Sequence, residues 1–251
     1  MYESEYLLQN RFSPRQIIPS GAKRCRKTAA AVVLCATAAI FIREYRYMGI
    51  IMTGIDHTRA GVDVRSVFSL TKKKMEEWYE TLRALPELSG CVILSTCNRM
   101  EFWLSSAEGS SVAPLELLCG YLGLEAKEYE RYFVTRQEHE AVDHLFRLAA
   151  GLESQIMGED QIITQVGDAL ALARSSYATD RTLEVLFRLA VTGGKRVKTE
   201  ARFSAADQSM IHAALLSLEA EGMSLRGKQC MVIGNGMMGR ICAQALLDRG
   251  A

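Results

Sequence analysis

Apolar positions follow two different periods along this chain. Residues 91–94 (Cys-Val-Ile-Leu) form a continuous apolar run too short for a helix, which predicts a buried strand. Ser95, Thr96 and Cys97 follow, Asn98 and Arg99 turn the chain, and residues 100–104 predict a second strand. Residues 49–54, apolar and β-branched, predict an earlier strand that leads into a polar loop over 55–59. Between them, Met75, Trp78, Tyr79, Leu82 and Leu85 recur at helical spacing, so residues 71–85 read as a helix that Pro86 ends. A Ser/Gly linker at 108–111 precedes a helix over 114–121, and aromatic residues at 129–135 suggest a further strand. Strand, helix, strand, strand, helix, strand is the order of a ferredoxin-like split βαβ unit.

From Gln137 the period becomes helical throughout. Ala141, Val142, Leu145, Phe146, Leu148 and Ala149 make one apolar face with His144 at its edge. Residues 151–161 break that period: glycines bracket polar side chains, a composition suited to lining a pocket. Helices are expected over 165–177 and 180–201, and a third from the capping-box-like start at Ser204 through Glu221. An apolar run at 229–233 predicts a buried strand, Gly234-Asn-Gly-Met-Met-Gly239 follows at once, and 240–248 reads as a helix. The class is therefore α/β. An α+β catalytic domain with a ferredoxin-like unit and a helical part occupies residues 48–203. A linker helix and the start of a Rossmann-like domain occupy 204–251, and an extension precedes both at 1–47.

Composition narrows the picture. Net charge is +1, with 49% hydrophobic and 24% charged residues, an ordinary globular balance. Contact with nucleic acid must then come from local patches such as Lys195, Arg196, Lys198 and Arg202; a solvated helix end is the other reading of those cations. Lys72 to Lys74 read as a solvated face. The seven cysteines contain no CxxC pair, which points to a reduced, cytosolic setting and away from zinc.

Candidate chemistry centres on Cys97. A thiol at the end of a rigid strand, two residues from a guanidinium, is placed to act as a thiolate nucleophile; a buried structural cysteine is the alternative. Arg99 suits two-pronged recognition of a carboxylate. His57 in the 55–59 loop and His144 at the helix edge are further candidates, each open to a plain structural reading. Gly234 to Gly239, between strand and helix, suits a dinucleotide pyrophosphate at a helix N-terminus.

Four segments in series carry a resemblance: Leu94-Ser-Thr-Cys-Asn-Arg-Met-Glu101; Gly151-Leu-Glu-Ser with Gly158-Glu-Asp-Gln-Ile; Gly194-Lys-Arg-Val-Lys-Thr-Glu200; and Gly234-Asn-Gly-Met-Met-Gly239. Over residues 48–251 the chain resembles glutamyl-tRNA reductase. The resemblance implies NADPH-dependent reduction of glutamyl-tRNA(Glu) to glutamate-1-semialdehyde through a cysteine thioester, the first step of C5 tetrapyrrole (porphyrin and haem) biosynthesis. It implies Cys97 as nucleophile and His144 as a histidine needed for activity. It also implies a glutamyl pocket from Thr96, Cys97, Asn98, Arg99, Ser154, Glu159, Asp160, Gln161 and Gln165, with NADPH on Gly234, Asn235, Gly236, Met237, Met238 and Gly239. His57 falls in a segment like the family's Gly-Ile-Asn-His stretch. Homodimerisation, contact with the downstream aminomutase, a cytoplasmic location and no membrane association follow from the same source.

The departures are few in the motifs and large in length. Asp160 stands where the family usually has proline, and Ser66 where it often has glutamate. The family's remaining nucleotide-binding and dimerisation regions have no counterpart, so the chain reads as a fragment of the enzyme; a non-catalytic tRNA- or protein-binding remnant is the alternative. Residues 1–47 match nothing in the family. Lys23, Arg24, Arg26 and Lys27 precede a 14-residue apolar run at 29–42, which resembles a signal-peptide core. A native start at Met48 is the expectation, with an anchor or export signal as the competing reading.

Overall fold

The longer β-strands of the sheet are buried on both faces, and only the short outer strand of residues 134–137 alternates in burial. A computed structural model describes residues 49–106, 112–155, 161–201, 210–234 and 237–251. The strands are β1 (Ile50–Asp56), β2 (Leu88–Ser95), β3 (Arg99–Ser106) and β4 (Val134–Gln137). The helices are α1 (Val62–Val67), α2 (Lys72–Leu82), α3 (Pro114–Leu122), α4 (Ala126–Tyr129), α5 (Glu138–Ala149), α6 (Gln161–Ser175), α7 (Arg181–Ala201), α8 (Met210–Ala220) and α9 (Met237–Leu247). The sheet runs β2-β3-β1-β4, with antiparallel pairing throughout. That order is the ferredoxin-like arrangement expected from the element sequence.

Because side chains alternate across a strand, β3 presents two different faces. Phe102 points to one, where its ring centroid lies 4.5 Å from that of Trp78 on α2; Trp78 in turn stacks on Tyr121 of α3 at 4.8 Å. Arg99, Glu101 and Trp103 share the other. There Trp103 meets Phe187 of α7 edge-on at 5.5 Å and lies parallel to His144 of α5 at 6.1 Å. Helices thus cover both faces, and one continuous core runs from Ile50 to Val197. Leu215, Leu225 and Ala245 form a separate small cluster between α8 and α9.

Two close approaches fix the helix layer and the outer strand. A Cβ on Gly194 would lie 2.4 Å from the Ala149 carbonyl oxygen, so glycine at this position lets α7 cross directly over the end of α5. Along β2, the Cys91 amide donates to the Ala178 carbonyl and the Ile93 amide to the Tyr79 hydroxyl, each at 2.7 Å.

Several expected elements differ in the structure. β1 extends to Asp56, two residues into the expected loop, and α6 begins at Gln161 rather than Gln165. α1 was not foreseen: it is six residues long and buries none of them. The aromatic stretch at 129–135 is helical to Tyr132, and the strand starts only at Val134. Tyr129 and Phe133, four apart, both pack edge-on against Phe68 at 5.0 and 4.8 Å, a contact that helical spacing provides and strand spacing does not. Residues 229–233 form no paired strand, and Met231 and Ile233 are 85% and 91% exposed. A strand of this kind requires neighbours, and none of the described residues supplies one. The extension at 1–47, the 108–111 linker and the Ser204 cap lie outside the described residues. Among the described residues, no helix is long and apolar enough to cross a membrane and no metal-binding cluster occurs.

Candidate active site

Cys97 occupies the tip of the β2–β3 hairpin. Ser95 pairs with Met100, and the Thr96 amide donates to the Arg99 carbonyl at 2.9 Å, which leaves Cys97 and Asn98 as a two-residue loop. The Thr96 hydroxyl accepts from the amides of Asn98 and Arg99, both at 3.2 Å, and holds the turn. Strands that are buried almost throughout thus carry an exposed thiol at their junction. The buried-cysteine reading fits Cys91 and Cys119 instead. Burial, with Asp180 adding to it, pushes the Cys91 thiol up to about 12.

A cleft opens beside the tip. Thr96, Cys97, Asn98 and Arg99 line it from the hairpin, Ser154 and Gln155 from the segment after α5, and Ile162 and Gln165 from the first turns of α6. Thr96, Cys97, Asn98, Arg99, Ser154 and Gln165, all expected as site residues, therefore meet in one place. Gln161 is exposed and does not line the cleft. Glu159 and Asp160 lie outside the described residues.

Arg99 is only 3% exposed. Its Nη1 donates to Glu101 Oε1 at 2.9 Å and its Nη2 to the Glu153 carbonyl at 2.5 Å. The guanidinium thus ties the hairpin to the segment that carries Ser154. Arg147 of α5 secures that segment again, from Nε to the Glu153 carboxylate at 2.5 Å. Three donors converge on Glu101: Arg99, Trp103 Nε1 at 3.1 Å and His144 Nε2 at 2.9 Å. Burial alone raises its pKa, but His144 and Arg99 outweigh that and hold the carboxyl down at about 2. His144 is 5% exposed and is not among the residues that line the cleft.

Asp56 pairs with Arg99 across β1 and β3. Burial raises its pKa, yet the Thr58 hydroxyl and amide, then the charges of Arg99 and His57, bring it below the usual carboxylate range. His57 lies beside this pair and outside the cleft, with Nδ1 buried and without a hydrogen-bond partner.

Glu101 is the residue that motif reading passed over. Its signal was present in the alternation: Arg99, Glu101 and Trp103 alternate with the apolar Met100, Phe102 and Leu104, so two charges had to share a buried face.

At the glycine loop, Gly234 has φ +115°, and a Cβ on Gly239 would lie 2.1 Å from the Gly234 carbonyl oxygen. The turn into α9 therefore closes only with glycine at both positions, as a dinucleotide-binding turn requires. Asn235 and Gly236 lie outside the described residues, as do the side chains of Met237 and Met238. Lys72 and Lys73 pair with Glu76 and Glu77 on an exposed face, and Arg196 pairs with Glu200 at 3.3 Å.

An exposed thiol at a hairpin tip, with a cleft of polar side chains beside it, defines an α/β protein that presents a cysteine at a cleft. The family profile for the glutamyl-tRNA(Glu) reductase N-terminal domain matches residues 53–201. The chain belongs to the glutamyl-tRNA reductase family. It is 44% identical over 204 residues to the glutamyl-tRNA reductase of Acetivibrio thermocellus and 42% to that of Alkaliphilus oremlandii, covering 81% of this chain and 60% of each relative. The solved glutamyl-tRNA reductase from Methanopyrus kandleri superposes with a TM-score of 0.54 at 32% identity, over 80% of this chain and 47% of that one. The chain thus spans about three-fifths of the length of these curated relatives.

Proposed function

We propose that this chain carries the acyl-transfer centre of an NADPH-dependent glutamyl-tRNA reductase, which forms glutamate-1-semialdehyde at the first step of tetrapyrrole biosynthesis. The observation that carries the reading is the convergence of Thr96, Asn98, Arg99, Ser154 and Gln165 on the cleft beside the exposed Cys97. In this reading residues 48–203 form the substrate-handling unit and 204–251 begin the cofactor unit.

The Cys97 sulfur attacks the ester carbonyl of glutamyl-tRNA. A carbon–sulfur bond forms, the carbon–oxygen bond to the terminal ribose breaks, and the tRNA leaves with a proton on its hydroxyl. Thr96 keeps the hairpin turn closed, so the thiol stays at the cleft mouth. Arg99 still has unused N–H groups and meets the substrate's side-chain carboxylate, with Asn98, Ser154 and Gln165 providing neutral hydrogen bonds around the glutamyl group. The family resemblance also assigns Glu159, Asp160 and Gln161 to glutamyl binding; Gln161 would act from outside the cleft lining. Gly234 to Gly239 would hold the pyrophosphate of NADPH, which when bound supplies the hydride that takes the acyl group to the aldehyde. The complete enzyme acts in the cytoplasm as a homodimer and passes its product to an aminomutase.

The test is transfer of label from [14C]glutamyl-tRNA to the protein without NADPH. Label released by neutral hydroxylamine and absent from Cys97→Ser is expected. A chain that binds glutamyl-tRNA without taking label is a binding remnant, and equal labelling of Cys97→Ser places the nucleophile elsewhere.

A further inference from the structure

The cleft accounts for Arg99 but leaves a buried polar chain behind it unexplained. Arg99, Glu101 and Trp103 run inward along one face of β3, and His144 meets them from α5. One oxygen, Glu101 Oε1, accepts from both Arg99 Nη1 and His144 Nε2, each at 2.9 Å. All three residues are 5% exposed or less. Burying an ion pair this deeply is costly unless every donor and acceptor is satisfied, and here the carboxylate receives three donors. Such a network fixes orientation more than it adds stability.

Its geometry also bears on His144. Glu101 accepts from Arg99 and Trp103 and its carboxyl is held down at about 2 despite burial, so at neutral pH it is ionised and offers no proton of its own. The contact at His144 Nε2 is therefore an N–H donating to an oxygen. The proton on Nε2 is held in place, and the ring lies parallel to Trp103 with 5% exposure, away from the residues that line the cleft. Gly54 belongs to the same arrangement: a Cβ there would lie 2.9 Å from Glu101 Cγ, so β1 leaves room for this carboxylate.

We infer that Glu101 is a positioning residue for the proposed reaction, and that His144 serves the cleft through Glu101 and Arg99 rather than by touching the substrate. Glu101 sets the direction of the Arg99 fork; His144 keeps Glu101 from swinging toward Arg99 alone. The inference rests on the proposed reading of the cleft as the glutamyl site.

Two measurements on the whole chain test it. The first follows Cys97 acylation against glutamyl-tRNA concentration. Glu101→Gln keeps the shape but sets an amide N–H against one of three existing donors. It is expected to raise the half-saturating concentration by about tenfold to a hundredfold, as for a binding group displaced by about an ångström. The rate at saturation should change by less than about threefold. His144→Ala should do the same, and His144→Gln, which retains a donor at the Nε2 position, should restore much of the loss. If His144→Gln instead abolishes acylation at saturation while the half-saturating concentration holds, the imidazole acts on the reacting atoms and the inference falls. Unchanged kinetics in Glu101→Gln also overturn it. The second measurement is a two-bond 1H–15N spectrum of histidine-labelled protein at neutral pH, assigned with His144→Gln. A His144 signal protonated at Nε2 in the wild type is expected; one protonated at Nδ1 alone refutes the arrangement. A wild-type chain that takes no label defeats the reading of the cleft, and the spectrum then still decides the arrangement around His144.

Discussion

Arg99 and Glu153 stand 54 positions apart in sequence, yet the Arg99 Nη2 donates to the Glu153 carbonyl at 2.5 Å. The bond joins the hairpin that carries the thiol to the segment that carries Ser154, so the two walls of the cleft are mutually held. A lysine at position 99 keeps the charge but presents one ammonium where the fork reaches both Glu101 and Glu153. Arg99→Lys is expected to weaken the choice of glutamyl-tRNA over glutaminyl-tRNA by on the order of tenfold or more, with one buried partner left short. Competition for Cys97 labelling measures it, and undiminished discrimination would remove Arg99 from the carboxylate site.

Thiol reactivity should divide by exposure. Cys97 is exposed, whereas Cys91 is buried and its thiol is pushed up to about 12, so Cys91 stays protonated throughout the ordinary pH range. Brief treatment of the folded chain with a maleimide at pH 7, read by peptide mass spectrometry, should modify Cys97 and spare Cys91 and Cys119. Modification of Cys91 at the same rate would contradict the hairpin's burial.

Glu101 makes stability depend on acid in a defined window. Its carboxyl falls from 4.5 to about 2 on folding, so between those values the unfolded chain binds the proton and the folded chain does not. Stability from this group is full above about pH 4.5 and is lost as the pH falls through about 2. A depression of this size corresponds to roughly 3 kcal/mol. Glu101→Gln should therefore be less stable at pH 7 and show a shallower decline between pH 4.5 and 2 in urea unfolding. A parallel decline in both proteins would show that Glu101 is not the group that titrates.

Gly194 and Gly120 make a matched pair of glycine tests. An added Cβ at Gly194 meets backbone, the Ala149 carbonyl, whereas at Gly120, exposed in α3, nothing lies within 4 Å. Gly194→Ala should cost about 1–3 kcal/mol through forced separation of α5 and α7. Gly120→Ala should gain about 0.4–1 kcal/mol. Thermal or denaturant midpoints check both, and equal effects would sink the close-crossing argument.

Much of this was legible because local pattern and tertiary demand agreed. The run 91–94 had to be a buried strand, and the spacing of Trp78, Tyr79 and Leu82 had to be a helix face; both are so. The ferredoxin-like order followed from the succession of elements alone. Where pattern and context part, reading failed. Tyr129, Tyr132 and Phe133 are strand-favouring residues, but Phe68 draws Tyr129 and Phe133 into helical spacing. Residues 229–233 have the composition of a buried strand, which has no meaning until a second strand pairs with it. In the site, the motif located Cys97 and Arg99, but no local rule shows that Glu153 closes on Arg99 or His144 on Glu101. Those contacts depend on how α5 crosses the sheet.

Tyr79 offers a test of the outer strand. Its hydroxyl accepts the buried Ile93 amide at 2.7 Å. Tyr79→Phe removes that acceptor and leaves a buried donor unpaired, at about 1–3 kcal/mol. Chemical denaturation reads the loss, and faster hydrogen exchange at the Ile93 amide should accompany it. A variant as stable as wild type, with Ile93 still protected, would mean that another group takes the amide.

The same bond has a consequence for the company this molecule keeps. β2 lies at the margin of the sheet, where unpaired amides invite a strand from another chain. Here Ala178 and Tyr79 occupy the outward amides of Cys91 and Ile93. The opposite margin, β4, has only four residues. Neither border offers a long row of vacant groups, so neighbouring copies in a crowded cell find little to zip onto. A lesion at Tyr79 would then first be seen as protein lost to insoluble material during synthesis, before any change in the chemistry at Cys97.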